Sequence, residues 1–238
     1  MSANDQENSI ENFTNAISET KIESSDIVWQ EQLKAGWPIR IVEIRGVGHI
    51  FFRSDDRSDR QGQEYSIRPN LEKLAYDINL WLGFNIVPAT SYKELDGDMG
   101  IAQRIMMGAV SANMVTNDWT RDLDDLELLK AGVFDYLIDA KDRRLNSFLI
   151  DQSKHKVWLI NNDAIMFNDG LNGSIIFNKC HEKQLIKRIP AGLISSVSRA
   201  LAQADKLIKD EKLLENERII LMNFSAKAEQ LIRDKQIL

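Results

Sequence analysis

Asp142 opens the segment Asp142-Arg143-Arg144-Leu145-Asn146 directly after an apolar helical stretch, and Asn161, Asn162 and Asp163 follow a short apolar run further on. All of these positions except Leu145 and the two arginines carry oxygen donors, on two polar loops that bracket a predicted hairpin. A carboxylate to orient a hydroxyl, oxygen ligands for a hard dication and a cation near the phosphates are what phosphoryl transfer requires. Asp142 is the candidate for the first role, and Asn146, Asn161 and Asp163 for the second. Asp and Asn also favour turns, because their side chains bond their own backbone. By residue type alone, turn formation is an equal reading.

The elements that must hold these loops follow from periodicity. Leu123 to Ala140 carries Leu126, Leu129, Val133 and Leu137 at helical spacing, with Asn117 or Thr120 near its start, and predicts a buried helix. Phe148–Asp151 and Val157–Asn161 predict strands joined by the polar turn Gln152–Lys156. From Pro190 onward, Leu193, Val197, Ala200, Leu201, Ala204 and Ile208 line one helical stripe, and Leu213 to Ile232 another. Upstream, IRIVEI and HIFFR flank the turn Arg45-Gly46-Val47-Gly48 and predict a hairpin, followed by an exposed loop over 54–66. Pro69 to Gly83 predicts a helix through Leu71, Leu74, Ala75, Ile78 and Leu82, with Gly83 as its C-cap. Extended runs around Ile86–Tyr92 and Gly100–Met107 are divided by Asp96-Gly97, a hairpin dipeptide.

The order is sheet-rich, then helical. It predicts an α+β fold with a flexible tail over 1–26, a small β-rich lobe with one helix over 27–109 and a mainly helical lobe over 110–238, the polar loops facing the cleft between lobes. A short amphipathic helix through Ile10, Phe13 and Ile17 is the alternative for the tail. No internal repeat is present.

Composition bounds the function. At 238 residues, 43% hydrophobic and 28% charged, the chain is long enough to bury a sizeable core and ordinary enough to be globular. A formal charge of −6 argues against a broad nucleic-acid footprint. Cys180 is the single cysteine, so no intramolecular disulfide forms, which suits a cytoplasmic setting. Neither a secretory leader nor a membrane span is expected.

FDYLIDAKDRRLNSFLI followed by VWLINNDAIMF resembles the pattern of atypical kinases related to phosphatidylinositol 3/4-kinases, HipA-type kinases and the secretory-pathway kinases. In those families a helix ends in a DR-x-x-x-N loop, a hairpin follows, and an Ile-Asp-Asn type loop supplies a metal-binding Asp. LEKLAYDINLWLGFNIVPATSYKELDGDMGIAQRI resembles the segment in which a helical Glu precedes a Leu-Gly turn, a Val-Pro strand and a hairpin. The resemblance covers roughly Ile39 to Phe167 and implies a two-lobed protein-kinase-like fold using ATP and Mg, with a protein, peptide or small molecule as acceptor.

Position by position, the resemblance implies that Asp142 matches the catalytic Asp and Glu72 the helix Glu that holds the phosphate-binding Lys. Arg53 stands where that Lys does, and the two groups are not interchangeable. Ser147 stands at the loop Asn, with Asn146 one place early, and Asn161 stands at the metal Asp, a weaker ligand for a hard dication. The pattern is therefore compatible with a working kinase, with a pseudokinase that binds nucleotide or partners, and, outside this fold, with an α/β binding protein whose loops are only turns.

Gly46-Val47-Gly48 reads either as a phosphate-covering loop or as a hairpin turn. No Walker-type motif occurs. His49, His155 and His181 are too scattered for a metal motif and suit surface or turn roles, and Trp29, Trp37, Trp81, Trp119 and Trp158 suit packing. Asp122, Asp124, Asp125 and Glu127 read as a solvated helix N-terminus.

Overall fold

The computed structural model describes residues 24–32, 39–54, 69–115, 118–162, 166 and 173–237. The predicted tail up to residue 23, Ile10, Phe13, Ile17, Trp37, the loop over 55–66, Asn117 and Asp163 lie outside the described residues. The fold is α+β. The chain divides into two compact units, the first from residues up to Lys73 with Pro88–Met106, the second from Leu74–Val87 with Met107 onward.

In the first unit, β1 (Ile27–Gln32), β2 (Ile39–Ile44), β3 (Gly48–Ser54), β4 (Thr90–Leu95) and β5 (Asp98–Arg104) form an antiparallel sheet in the order β1-β2-β3-β5-β4. The β2–β3 register pairs Val42 with Ile50 and Ile44 with Gly48, so alternation buries Val42, Ile44, Ile50 and Phe52. Asp96 and Gly97, at φ 54° and 84°, close the β4–β5 hairpin in the left-handed conformation that matches strand twist. The edge strand β1 has no readable apolar pattern: it pairs with β2 through a register shift, and its Val28 and Trp29 are exposed. Trp29 is therefore not a packing residue.

Helix α1 (Pro69–Leu82) starts on a proline, whose missing N–H is harmless at a helix start, and ends as predicted with Gly83 at φ +66°. The run predicted as extended from Ile86 joins the sheet only at Thr90. Within the second unit, Asn79 Oδ1 accepts instead from the backbone N–H groups of Ile86 and Val87, and the Ile86 carbonyl accepts from Leu159 N at 2.7 Å.

The second unit holds a three-stranded sheet of β6 (Val110–Ser111), β8 (Phe148–Asp151) and β9 (Lys156–Leu159), and a parallel bridge of β7 (Asp142–Arg143) with β10 (Gly173–Ser174). Its helices are α2 (Asp125–Leu137), α3 (Ile175–Glu182), α4 (Ala191–Leu207) and α5 (Glu215–Asp234). Strand β9 begins and ends earlier than predicted, because the pairing of Asp151 with Lys156 and of Phe148 with Leu159 sets its limits. Helix α2 starts after Asp124, not at Thr120; Thr120 is buried in a short turn capped by the Asp118 side chain. Its buried face runs through Leu128, Leu129, Ala131, Val133, Phe134 and Leu137, while Leu126 faces solvent. Helix α3 was not visible in the pattern. Helices α4 and α5 match prediction, and α5 begins where the Leu214 N–H donates to Glu217 at 2.9 Å.

Helices α2 and α3 meet at Gly132, where an added Cβ would stand 2.5 Å from Cys180 Sγ. The Cys180 thiol is buried against Leu128 O at 3.2 Å. Desolvation, aided by the nearby Asp135 charge, raises its pKa to about 12, so its reactive thiolate is rare at neutral pH. Gly132→Ala should cost about 1–3 kcal/mol by overpacking. Cys180→Ala should recover part of that loss in the double variant, measured by urea denaturation; purely additive losses would show that the two side chains do not compete for space.

Candidate functional site

In the first unit the sheet face opposite the apolar one carries Phe51, Arg53, Ile101 and Gln103, since side chains alternate along β3 and β5 and the register pairs Arg53 with Ile101 and Phe51 with Gln103. Glu72, in the first turn of α1, is buried there. Gln103 Nε2 donates to Glu72 Oε1 at 3.0 Å and to Thr90 Oγ1 at 2.9 Å, which ties the helix start to β4 and β5. The second Glu72 oxygen lies 3.9 Å from Arg53 Nη2, an ion pair at the long end of the range. Arg53 and Glu72 are thus brought together. Gly46 and Gly48 sit in the β2–β3 turn at φ 77° and 99°, a conformation that glycine reaches without strain.

In the second unit the centre is Arg143, which no part of the sequence reading singled out. It is fully buried, a costly place for a charge unless every donor is matched. All five guanidinium donors are matched. Nε donates to both Asp135 oxygens at 3.0 Å, and Nη2 to Asp135 Oδ1 at 2.6 Å and Asn162 Oδ1 at 3.0 Å. Nη1 donates to the carbonyls of Ser147 at 3.1 Å and Ile160 at 3.2 Å. Ser174 Oγ completes the Asp135 carboxylate at 2.6 Å while accepting from Phe177 N as the cap of α3. The Asp135–Arg143 pair therefore joins α2, the loop after β7, the exit of β9 and the start of α3. The signal was present: Asp135 lies seven residues after Leu128, an acid on an apolar helical face.

Arg143 fixes its neighbours on both loops. Asp142 precedes it, half-buried, and its Oδ1 accepts from Arg144 Nε at 2.7 Å. That bond raises the Arg144 pKa. Asn161 lies between the two residues that Arg143 grips, Ile160 and Asn162; it is exposed, with φ 55°, a left-handed conformation that Asn tolerates well. Asn162 faces inward, donating to Leu159 O at 3.3 Å. Asn146 is exposed on the first loop. Ser147 is buried; its Oγ donates to Arg144 O at 2.7 Å and accepts from Arg144 N at 2.9 Å, so it closes its own loop.

For magnesium, the described donors on these loops are one carboxylate, Asp142, already bonded to Arg144, and two neutral amides, Asn146 and Asn161. Among the described residues no group of three or more His, Cys, Asp or Glu is placed to hold a metal ion. A dication therefore does not fit the described residues by themselves; Asp163 would have to supply the second carboxylate.

The β8–β9 turn is closed by Asp151, which accepts from Ser153 Oγ at 2.6 Å, Lys154 N at 3.2 Å and Lys154 Nζ at 2.8 Å. His155 takes the left-handed position of that turn, and His49 faces Glu43 across β2–β3 at 3.8 Å, in keeping with turn and surface roles. Trp119 and Trp158 are buried, Trp119 edge-on to Phe148. Among the acidic run, exposed Asp125 pairs with Lys183, as expected of a solvated helix start, whereas Glu127, paired with Lys130, is largely buried and departs from that expectation.

No protein-family model matches the chain, and no curated protein matches it. Among the described residues no helix is long and apolar enough to cross a membrane.

Two outcomes follow from the geometry. Asp135→Leu should cost about 3–5 kcal/mol by stranding a buried guanidinium. Combined with Arg143→Met it should lose less than the sum of the singles, by about 2 kcal/mol of coupling in chemical denaturation. Burial by itself would push the Asp151 carboxyl up, but hydrogen bonds from Lys154 and Ser153 outweigh it and hold its pKa below the usual value. A depressed carboxylate stabilises the fold above its unfolded pKa and loses that contribution as pH falls through the folded one. Asp151→Asn should therefore cost about 1 kcal/mol at pH 7. The gap to wild type should shrink below about pH 4, followed by urea denaturation across pH; a gap that widens in acid would contradict it.

Proposed function

We propose that the chain is a kinase-like protein in which the first unit is the nucleotide-binding lobe and the second the catalytic lobe. The observation that carries this reading is the Asp142-Arg143 loop: a half-buried carboxylate held beside a fully satisfied buried arginine that also anchors the second polar loop. Such anchoring is what a proton-accepting carboxylate needs, because positioning dominates phosphoryl transfer. The Arg53–Glu72 pair supports the same reading from the other unit, since it puts a cation held by a helical acid on the sheet. The reaction proposed is magnesium-ATP-dependent transfer to a hydroxyl of a protein, peptide or small molecule. Asp142 accepts the hydroxyl proton, Arg53 binds phosphate and is oriented by Glu72, and the Gly46–Gly48 turn approaches the nucleotide. Asn146, Asn161 and Asp163 would hold magnesium, which when bound offsets phosphate charge.

A specific observation favours a second reading, a pseudokinase that binds nucleotide or a protein partner without transfer. Ser147 spends its hydroxyl inside its own loop and Asn161 is neutral, so of two positions that carry ligands in the resembling kinases one is occupied by its own loop and the other lacks the carboxylate charge.

Thermal shift with ATP, with and without magnesium, separates the readings when run on wild type, Arg53→Gln and Asp142→Ala beside a γ-phosphate transfer assay. The enzyme reading expects stabilisation by ATP that Arg53→Gln lowers, and transfer that Asp142→Ala abolishes. ATP binding without transfer selects the pseudokinase, and no ATP effect removes both.

A further inference from the structure

Asp142 is flanked by cations that the proposed reaction does not use. The Arg144 backbone is locked by its reciprocal bonds with Ser147, yet its side chain is 62% exposed and bends back to Asp142 Oδ1 at 2.7 Å. It holds one of the two oxygens to which an acceptor hydroxyl could donate, on a carboxylate only 13% exposed. Lys141, on the other side, is paired with Asp139, which Lys227 also contacts. An acceptor reaching Asp142 therefore meets a guanidinium that can swing without moving the loop, in a pair weak enough to exchange partners. Planar guanidinium donors match phosphate and carboxylate oxygens two at a time.

We propose that Arg144 is the specificity-determining residue of the Asp142 site: it selects an acceptor carrying an oxyanion beside its hydroxyl and caps Asp142 until that oxyanion draws it away. The proposal rests on the reading that Asp142 orients an acceptor hydroxyl. The capped carboxylate takes no hydroxyl proton through the bonded oxygen, so a neutral acceptor that uses that oxygen must open the pair unaided, whereas an acidic one replaces the lost ion pair with its own.

The test is NMR of arginine Nε–H groups in the full chain, with the Arg144 signal assigned from its loss in Arg144→Gln. The probes are inorganic phosphate and, separately, acetate, each titrated with and without ATP. Saturable movement of the Arg144 signal is expected, with phosphate affinity falling at least about fivefold in Arg144→Gln, the strength of an exposed ion pair. Movement with phosphate alone identifies a phosphate-bearing acceptor, and movement with acetate as well a carboxylate-bearing one. An Arg144 signal unmoved by both anions, or phosphate affinity unchanged in Arg144→Gln, overturns the proposal. So does an Arg144 signal moved by ATP alone, since the guanidinium would then serve the nucleotide. A phosphate response intact in a chain that ATP fails to stabilise keeps the oxyanion preference of Arg144 and removes the kinase reading instead.

Discussion

The buried Asp135–Arg143 pair is the constraint on which the second unit depends. A desolvated guanidinium tolerates no vacant donor, so the positions of Asp135, Asn162, Ser174 and the carbonyls of Ser147 and Ile160 are set together or not at all. Such a network adds little net stability compared with a well-packed apolar core. What it provides is uniqueness of arrangement, since any shift of one loop leaves a buried charge with an unmet partner. The exposed residues Asn146, Arg144 and Asn161 ride on this framework without contributing to it.

The first unit has a smaller version of the same device. Glu72 is buried at the start of α1 and is held by Gln103, which is itself fixed by Thr90. This neutral bridge leaves the second carboxylate oxygen directed to Arg53. The start of the helix is therefore registered against this face of the sheet by hydrogen bonds, while Val42 and Phe52 are buried on the opposite face.

The candidate metal-ligand positions show where chemistry and scaffold part company. Ser147 and Asn162 occupy the two loops as structural groups, one closing its turn and the other gripping Arg143. Asp142 and Asn161 keep side chains out of that network. An arrangement of this kind can preserve loop geometry with or without metal binding, because the Arg143 guanidinium and not a metal ion makes the bonds that organise the loops.

Local chemistry made much of the fold legible in the amino-acid sequence. The β2–β3 and β4–β5 hairpins, α1 with its proline start and glycine end, the β8–β9 hairpin, α4 and α5 follow from turn dipeptides, caps and apolar periodicity, all of which act within a few residues. The candidate residues Asp142, Asn146 and Asn161 were legible as types on polar loops. The tertiary structure alone decided what lies beyond that range. The two-residue bridge of β7 with β10, the inward turn of Asn162 and the burial of Arg143 rest on partners distant in the chain, such as Ser174 with Asp135 at 39 residues, and the edge strand β1 rests on a register-shifted pairing with β2 that no apolar pattern announces. A lone Arg after an Asp looks like surface charge until folding brings a carboxylate and three carbonyl-type oxygens around it. The low dielectric of that interior then turns an ordinary polar residue into the fixed point of the site.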